Sequence, residues 1–148
     1  MAISNKSAGV ILFVLAGIVN AALFFGFRWL YSQVPDDGLE PTYTNVATIG
    51  SVAAGLSMVG FSMIIGNSKA MSKARKEYGR LAGVFFVAAH TLILIASLCI
   101  GIASGFDPSG FSRLLGAAFT TAIAFGFSIV VLFLNTLFGW ELAQDTAP

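Results

Sequence analysis

One histidine, His90, is the residue of this chain whose side chain could support the widest range of chemistry. An imidazole can relay protons, and one of its nitrogens can ligate a metal ion, a haem or a chlorophyll-like pigment. His90 lies in an apolar run, 81–102, that contains no Asp, Glu, Lys or Arg, and an ionisable group there is a candidate for function. A structural role is the alternative: Gly83, Ser97 and Gly101 on the same helical face favour a neutral imidazole hydrogen-bonded across helices.

Two further polar residues are expected at about the same depth as His90. Asn20 lies in the apolar run 8–27, and Ser57 lies in the run 46–65. At a rise of about 1.5 Å per residue, each of the three is near the middle of its run. If the helices are neighbours, Asn20, Ser57 and His90 could form one polar layer, which would either hold the helices together or constrict a translocation path.

The sequence contains no recognisable catalytic or metal-binding motif. No Asp or Glu lies near His90, and Cys99 is the only cysteine, so neither a zinc site nor an internal disulfide is expected. Phosphate loops, dinucleotide fingerprints and serine-nucleophile motifs are also absent. We therefore predict no catalytic residue, no metal and no enzymatic activity. A haem or chlorophyll-like pigment on His90 is an alternative, because it needs only one imidazole and a flat apolar slot.

Four apolar runs predict that the chain is an all-α integral membrane protein. The fourth run covers 114–137, and all four are free of charged residues. Each is long enough to cross the roughly 30 Å hydrocarbon core as a helix. Charged residues make up only 10% of the chain, against about 25% in soluble domains. We expect a single domain over 1–148 with helices at about 8–31, 45–67, 80–104 and 112–138, an outer loop 32–44, a basic cytoplasmic loop 66–80 and a short outer turn 105–111.

The charges of the connections predict the orientation. Residues 66–80 contain five Lys or Arg and one acid, whereas residues 28–45 contain three acids and one Arg. By the positive-inside rule, the basic loop and both termini are cytoplasmic, and the membrane is expected to be the cell (inner) membrane. Short connections favour neighbouring helices that run in opposite directions, which predicts an up-down-up-down antiparallel bundle.

The basic residues of the loop 66–80 recur at steps of four, three and four. If this segment is helical, they lie on one face. Such a stripe could contact an acidic partner or an anionic lipid headgroup, and it could also serve only to orient the chain. The residues are Lys69, Lys73, Lys76 and Arg80.

The small size and scarce polar chemistry favour a non-catalytic accessory or structural subunit that packs against the transmembrane core of a larger membrane protein complex. Small residues four apart, such as Ala22 with Gly26, allow close helix packing. Expected partners are other integral membrane subunits or copies of this chain, together with membrane lipids, and not nucleic acid. The alternatives are a small homo-oligomeric channel or transporter that uses the polar layer, a single-histidine pigment or haem protein, and an enzyme acting on lipids.

Overall fold

Four α-helices make up the part of the chain that the computed structural model describes, residues 5–144. Each contains a segment long and apolar enough to cross a membrane. The predicted all-helical class with four possible membrane spans is confirmed. The helices are α1 (Asn5–Gln33), α2 (Asp36–Gly66), α3 (Ser68–Ala103) and α4 (Gly110–Gln144). The apolar segments are Val14–Gln33, Asp36–Met63, Phe86–Ala103 and Gly110–Asn135.

The connection between α1 and α2 is much shorter than the predicted loop 32–44. Only Val34 and Pro35 lie outside the two helices. A proline disfavours the helical conformation of the preceding residue, which explains why α1 ends before Val34. The prediction of an irregular loop was wrong because the polar residues after Pro35 start a helix: two aspartates occupy its first turn, where a carboxylate interacts favourably with the helix dipole.

The basic segment 66–80 is helical as well, and not a loop. α3 begins at Ser68, and Asn67 alone separates it from α2. Lys, Arg, Met, Ala and Glu, which fill much of this segment, are good helix formers, so the helix extends well before the predicted start near residue 80. The helical backbone puts Lys69, Lys73, Lys76 and Arg80 at positions that share a face, and their side chains lie outside the described part of the structure.

The turn between α3 and α4 ends in a reciprocal pair of hydrogen bonds. The backbone N–H of Ser112 donates to Ser109 Oγ at 3.1 Å, and the backbone N–H of Ser109 donates to Ser112 Oγ at 3.0 Å. This arrangement is a capping box, and it satisfies N–H groups that a helix start leaves without partners. It begins α4 at Gly110, two residues before the predicted start at 112.

The core lies where α3 packs against α2 and α4, while α1 packs against α4. Ile93 and Ile100 of α3 are completely buried, and Gly126 of α4 lies directly against Ile93. A Cβ at position 126 would come within 2.8 Å of Ile93 Cγ1 and 3.1 Å of the Ala89 carbonyl oxygen. The two backbones can approach this closely only because residue 126 has no side chain.

Burial differs strongly among the helices. In the most apolar stretch of each span, 39% of the residues of α3 are buried, and only 6% of those of α1. The corresponding share is 28% for both α2 and α4. The structure is therefore a packed unit of three helices, α2, α3 and α4, with α1 attached to the outside of α4.

Candidate functional site

Ser57 of α2 and His90 of α3 form a hydrogen-bonded pair within the apolar part of the bundle. Ser57 Oγ lies 2.6 Å from His90 Nδ1 and 2.7 Å from the carbonyl oxygen of Ala54. Ser57 is 1% exposed, and His90 is partly exposed. The structure thus brings together two of the three residues that the sequence places at one depth.

The two contacts of Ser57 indicate which nitrogen of His90 carries the hydrogen. A serine hydroxyl has one hydrogen, and the carbonyl oxygen of Ala54 can only accept. If the Ser57 hydroxyl donates to Ala54, the hydrogen in the contact with His90 must be on Nδ1. The neutral imidazole then donates from Nδ1, and its Nε2 holds a free lone pair.

The lone pair of Nε2 is the part of this pair that is available for chemistry. Among the residues that the structure describes, none pairs with Nε2. An imidazole whose Nδ1–H is held by an oxygen is oriented in the same way as many metal-ligating histidines. The described residues include no group of three or more His, Cys, Asp or Glu that could hold a metal ion. Within the described part of the chain, Nε2 of His90 is therefore the candidate ligand atom for a metal-containing group, as in single-histidine ligation of a haem or pigment.

Asn20 is not part of the Ser57–His90 pair. It lies on α1, which packs against α4, and its side chain is partly exposed. Within the described residues it makes no hydrogen bond. The structure therefore joins Ser57 to His90 and leaves Asn20 apart from both.

Arg113, which was not among the predicted site residues, holds the end of α1. Its guanidinium donates to the carbonyl oxygens of Tyr31 and Val34, the latter at 2.7 Å, and Nη2 lies 2.6 Å from Asp36 Oδ1. The last carbonyls of a helix have no partner within the helix, so Arg113 supplies donors that α1 lacks at its C-terminal end. A lone arginine at the start of an otherwise uncharged run was the signal that could have pointed to this contact.

Two tyrosines pack beside Arg113 and complete what we call the Arg113 cluster: Arg113, Asp36, Tyr31, Tyr43 and Thr120. The Tyr31 hydroxyl and Thr120 Oγ1 are 2.9 Å apart, and the two tyrosine rings lie 5.4 Å apart. The hydroxyl of Tyr43 is buried close to Ser112 but makes no well-formed hydrogen bond with the described residues, which is unfavourable for a polar group. The cluster joins α1, α2 and α4 at one end of the bundle.

A cleft with a volume of about 340 Å³ opens next to the Arg113 cluster. It lies between the first turns of α2 and the turn after α3, and four carboxyl groups border it. Asp36 is paired with Arg113, and no other ion pair involves these acids in the described structure. The carboxyl groups belong to Asp36, Asp37, Glu40 and Asp107.

A shallow apolar groove of about 390 Å³ lies on α1 and is lined by residues of this helix alone. Ala22 and Gly26 are its smallest residues, and a Cβ added at position 26 would meet no atom within 4 Å. We call this surface the α1 groove. Because no described residue lies within 4 Å of a Cβ at position 26, the groove is open to a partner from outside the described part of the chain. The residues of the groove are Val19, Ala22, Leu23, Gly26, Phe27 and Leu30.

No protein-family model, curated protein or solved structure matches this chain.

Proposed function

We propose that this chain is a non-catalytic accessory subunit of the cell (inner) membrane, and that it packs through the α1 groove against the transmembrane core of a larger membrane protein complex. The observation that carries the proposal is the open α1 groove, on a helix in whose most apolar stretch only 6% of the residues are buried. The other three helices already form a packed unit without α1. Of the four spans, that of α1 therefore has the largest share of its surface available for a partner.

Packing in a membrane explains why small residues matter on this surface. Lipid tails are as apolar as the helix, so association of transmembrane helices depends on close fit. Ala22 and Gly26, four residues apart, would let the backbone of a partner helix approach α1. Large apolar side chains are exposed along the rest of α1 and would extend the contact. These side chains are Val14, Leu15, Ile18, Val19, Phe25, Trp29 and Leu30.

The proposal includes an alternating orientation of the helices, with both termini and the segment 66–80 on the cytoplasmic side. The charge asymmetry of the connections supports this orientation. Contacts between α2 and α3 support the alternation, because residues later in α2 contact residues earlier in α3, as in two antiparallel helices. The pairs are Gly50 with Ser97, Ser57 with His90, and Phe61 with Phe86.

In this orientation, the helical start of α3 extends from the cytoplasmic side of the membrane. We propose that its basic positions contact anionic headgroups or an acidic surface of the same complex, each contributing about 1 kcal/mol near an anionic leaflet. The positions are Lys69, Lys73, Lys76 and Arg80.

Substitution of Gly26 by leucine tests the proposed function. Gly26→Leu should fill the α1 groove without disturbing the fold, because a Cβ at this position has open space around it and meets no described neighbour within 4 Å. Gly55→Leu is the matched control: Gly55 is also an exposed helical glycine with open space around it. The measurement is quantitative mass spectrometry of membrane proteins that co-purify with each variant under mild detergent.

We expect the wild type and Gly55→Leu to recover the same larger membrane protein in a fixed ratio, and Gly26→Leu to recover at least about 10-fold less of it. Equal recovery with Gly26→Leu would show that the partner does not bind the groove. If the wild-type chain is recovered without any other membrane protein, the accessory-subunit function itself is wrong.

A further inference from the structure

A second exposed surface runs along α3, on the outside of the packed unit. Its residues follow one another at steps of three, four, three and four, which is the spacing of the contact positions in a two-stranded coiled coil. All of them are exposed although they belong to the most buried helix of the bundle. We call this surface the α3 seam. It consists of Val84, Val87, Thr91, Leu94 and Leu98.

A hydrogen-bond donor without a partner lies in the middle of the α3 seam. Among the described serines and threonines of the four spans, Thr91 alone makes no hydrogen bond. The other exposed hydroxyl groups of the α2 and α4 spans, for example those of Ser51, Ser62 and Ser128, donate to the carbonyl oxygen four residues earlier. A hydroxyl left unpaired in hydrocarbon is costly, so Thr91 calls for an acceptor from outside the chain.

A hydrogen-bond acceptor without a partner lies next to Thr91. His90 precedes Thr91 on the same helix, and its Nδ1 lies 2.6 Å from Ser57 Oγ. With the Ser57 hydroxyl donating to Ala54, Nε2 keeps a lone pair that has no hydrogen-bond partner among the described residues. One α3 helix therefore offers one free donor and one free acceptor at the same depth. The two groups are on adjacent residues of one helix, and they become complementary when a second copy of the helix is placed beside the first.

We propose that two copies of this chain dimerise through the α3 seam, with the Thr91 hydroxyl of each copy donating to His90 Nε2 of the other. Copies inserted in the same direction are related by a twofold axis along the membrane normal, so their α3 helices run parallel. The spacing of the α3 seam puts Thr91 at an a position of the heptad. In a parallel coiled coil, the side chain at an a position packs into a hole formed by four residues of the facing helix, and one of these four directly precedes the equivalent a position. That residue is His90 of the second copy.

Twofold symmetry makes the contact self-complementary. If Thr91 of the first copy donates to His90 of the second, then Thr91 of the second copy donates to His90 of the first. Two identical hydrogen bonds form, and they supply a partner to the Thr91 hydroxyl and to His90 Nε2 of each copy. The tautomer of His90 is essential, because only an unprotonated Nε2 can accept. This dimer contact lies on a different helix from the α1 groove, so either inference can fail without the other.

Disulfide crosslinking in liposomes tests the geometry. In a Cys99→Ala background, which removes the native cysteine, we introduce Leu94→Cys or Leu98→Cys on the α3 seam. Leu92→Cys is the control on the same helix, because Leu92 is 37% exposed against 40% for Leu94 and faces a different direction. We expect the two seam variants to form disulfide-linked dimers at least about 5-fold faster than the control. Equal rates at all three positions, or no crosslinking on the seam, would overturn the dimer.

Energy transfer between labelled copies in liposomes tests the hydrogen bonds. Thr91→Val removes the donor at nearly constant shape, and His90→Asn keeps an N–H for Ser57 but removes the Nε2 acceptor. Each variant loses both symmetry-related hydrogen bonds, so we expect its dimer to dissociate about 10-fold more readily than the wild type. Circular dichroism of each variant should be unchanged, since Thr91 makes no hydrogen bond with the described residues and His90→Asn keeps an N–H for Ser57.

Mixing the two variants gives the sharpest outcome. A dimer of one Thr91→Val copy and one His90→Asn copy retains one intact pair, so mixed dimers should form about 3-fold more readily than dimers of either variant with itself. Mixed dimers that form no better than the pure ones would overturn the proposed pairing. A visible absorption band in the purified wild-type chain that His90→Asn abolishes would also overturn it, because Nε2 would then hold a haem or pigment.

Discussion

α1 and α3 are both long apolar helices, yet they are held in the bundle by different means. α3 contacts α2 and α4 along its length, through buried side chains such as Ile93 and Ile100 and through the close approach at Gly126. On α1, Tyr31 is the one fully buried side chain among those described, and the polar contacts of this helix with α4 are at its C-terminal end. Apolarity selects helices for the membrane, but shape complementarity and a few polar contacts decide which of them pack together.

This difference has a consequence for what each surface can do. A helix fixed at one end and exposed elsewhere can be covered by another protein without disturbing the rest of the bundle, as we propose for the α1 groove. A helix in the centre can offer only the narrow side that its neighbours leave open, as we propose for the α3 seam.

The largest effect is expected from Gly126→Val in the packed unit. A Cβ at this position would lie 2.8 Å from Ile93 Cγ1 and 3.1 Å from a backbone carbonyl oxygen, and that oxygen moves only if α3 itself moves away. Overpacking of this kind costs about 3 kcal/mol in the free energy of unfolding. Reversible unfolding in mixed detergent micelles, followed by circular dichroism, measures it.

Gly55→Val is the control for this substitution, because a Cβ at position 55 meets nothing within 4 Å. It should change the free energy of unfolding by less than about 1 kcal/mol. Equal destabilisation by both variants would mean that α3 and α4 do not approach closely at Gly126. α3 would then not differ from α1 in how tightly it is packed.

Arg113→Met is expected to have a smaller and more local effect, on the attachment of α1. It removes donors from the carbonyl oxygens of Tyr31 and Val34, and a hydrogen bond to a charged group contributes about 1.5 to 3 kcal/mol. We expect faster hydrogen exchange at the C-terminal end of α1, measured by mass spectrometry in nanodiscs, with little change in α3. Faster exchange throughout α3 would show that α1 is part of the same cooperative unit.

Asp36→Asn separates the ion pair from the backbone contacts of Arg113. The side chain of Asp36 is 76% exposed, so solvent screens its attraction to Arg113, and exposed pairs of this kind contribute about 0 to 1 kcal/mol. Exchange at the end of α1 should therefore change much less in Asp36→Asn than in Arg113→Met. An equal increase would assign the attachment to the ion pair.

The number of helices and their spans could be predicted from the sequence because both depend on local apolarity. The helix ends could not be predicted as well. Residues 36–44 contain two aspartates, a glycine and a proline, which are typical of loops, but they form the start of α2 because acids are also favourable in a first helical turn. The same ambiguity applies to 66–80, where a basic composition indicates a cytoplasmic position but does not exclude a helix.

The candidate site was predictable only in part. Depth along each run suggested that Ser57 and His90 lie at one level, but depth cannot show which helices are neighbours, and Asn20 has no place in the pair. The contacts of Arg113 join residues about 80 positions apart and follow from packing of α1 on α4, which no local pattern encodes. The free lone pair of Nε2 follows from the contact of Ser57 with Ala54, a detail visible only in three dimensions.

The smallest effect is expected from the two tyrosines of the Arg113 cluster, and it should differ in sign between them. Tyr31→Phe removes a hydroxyl that bonds Thr120, which contributes about 1 kcal/mol, so this variant should be less stable. Tyr43→Phe removes a buried hydroxyl that has no partner among the described residues, so it should be neutral or more stable by up to about 1 kcal/mol. Both changes delete the same atom from the same ring type, and unfolding in mixed micelles compares them directly. If Tyr43→Phe destabilises the chain as much as Tyr31→Phe does, the Tyr43 hydroxyl has a partner in the membrane. Ser112→Ala would then show whether that partner is Ser112, which lies close to Tyr43, or a group from outside the chain.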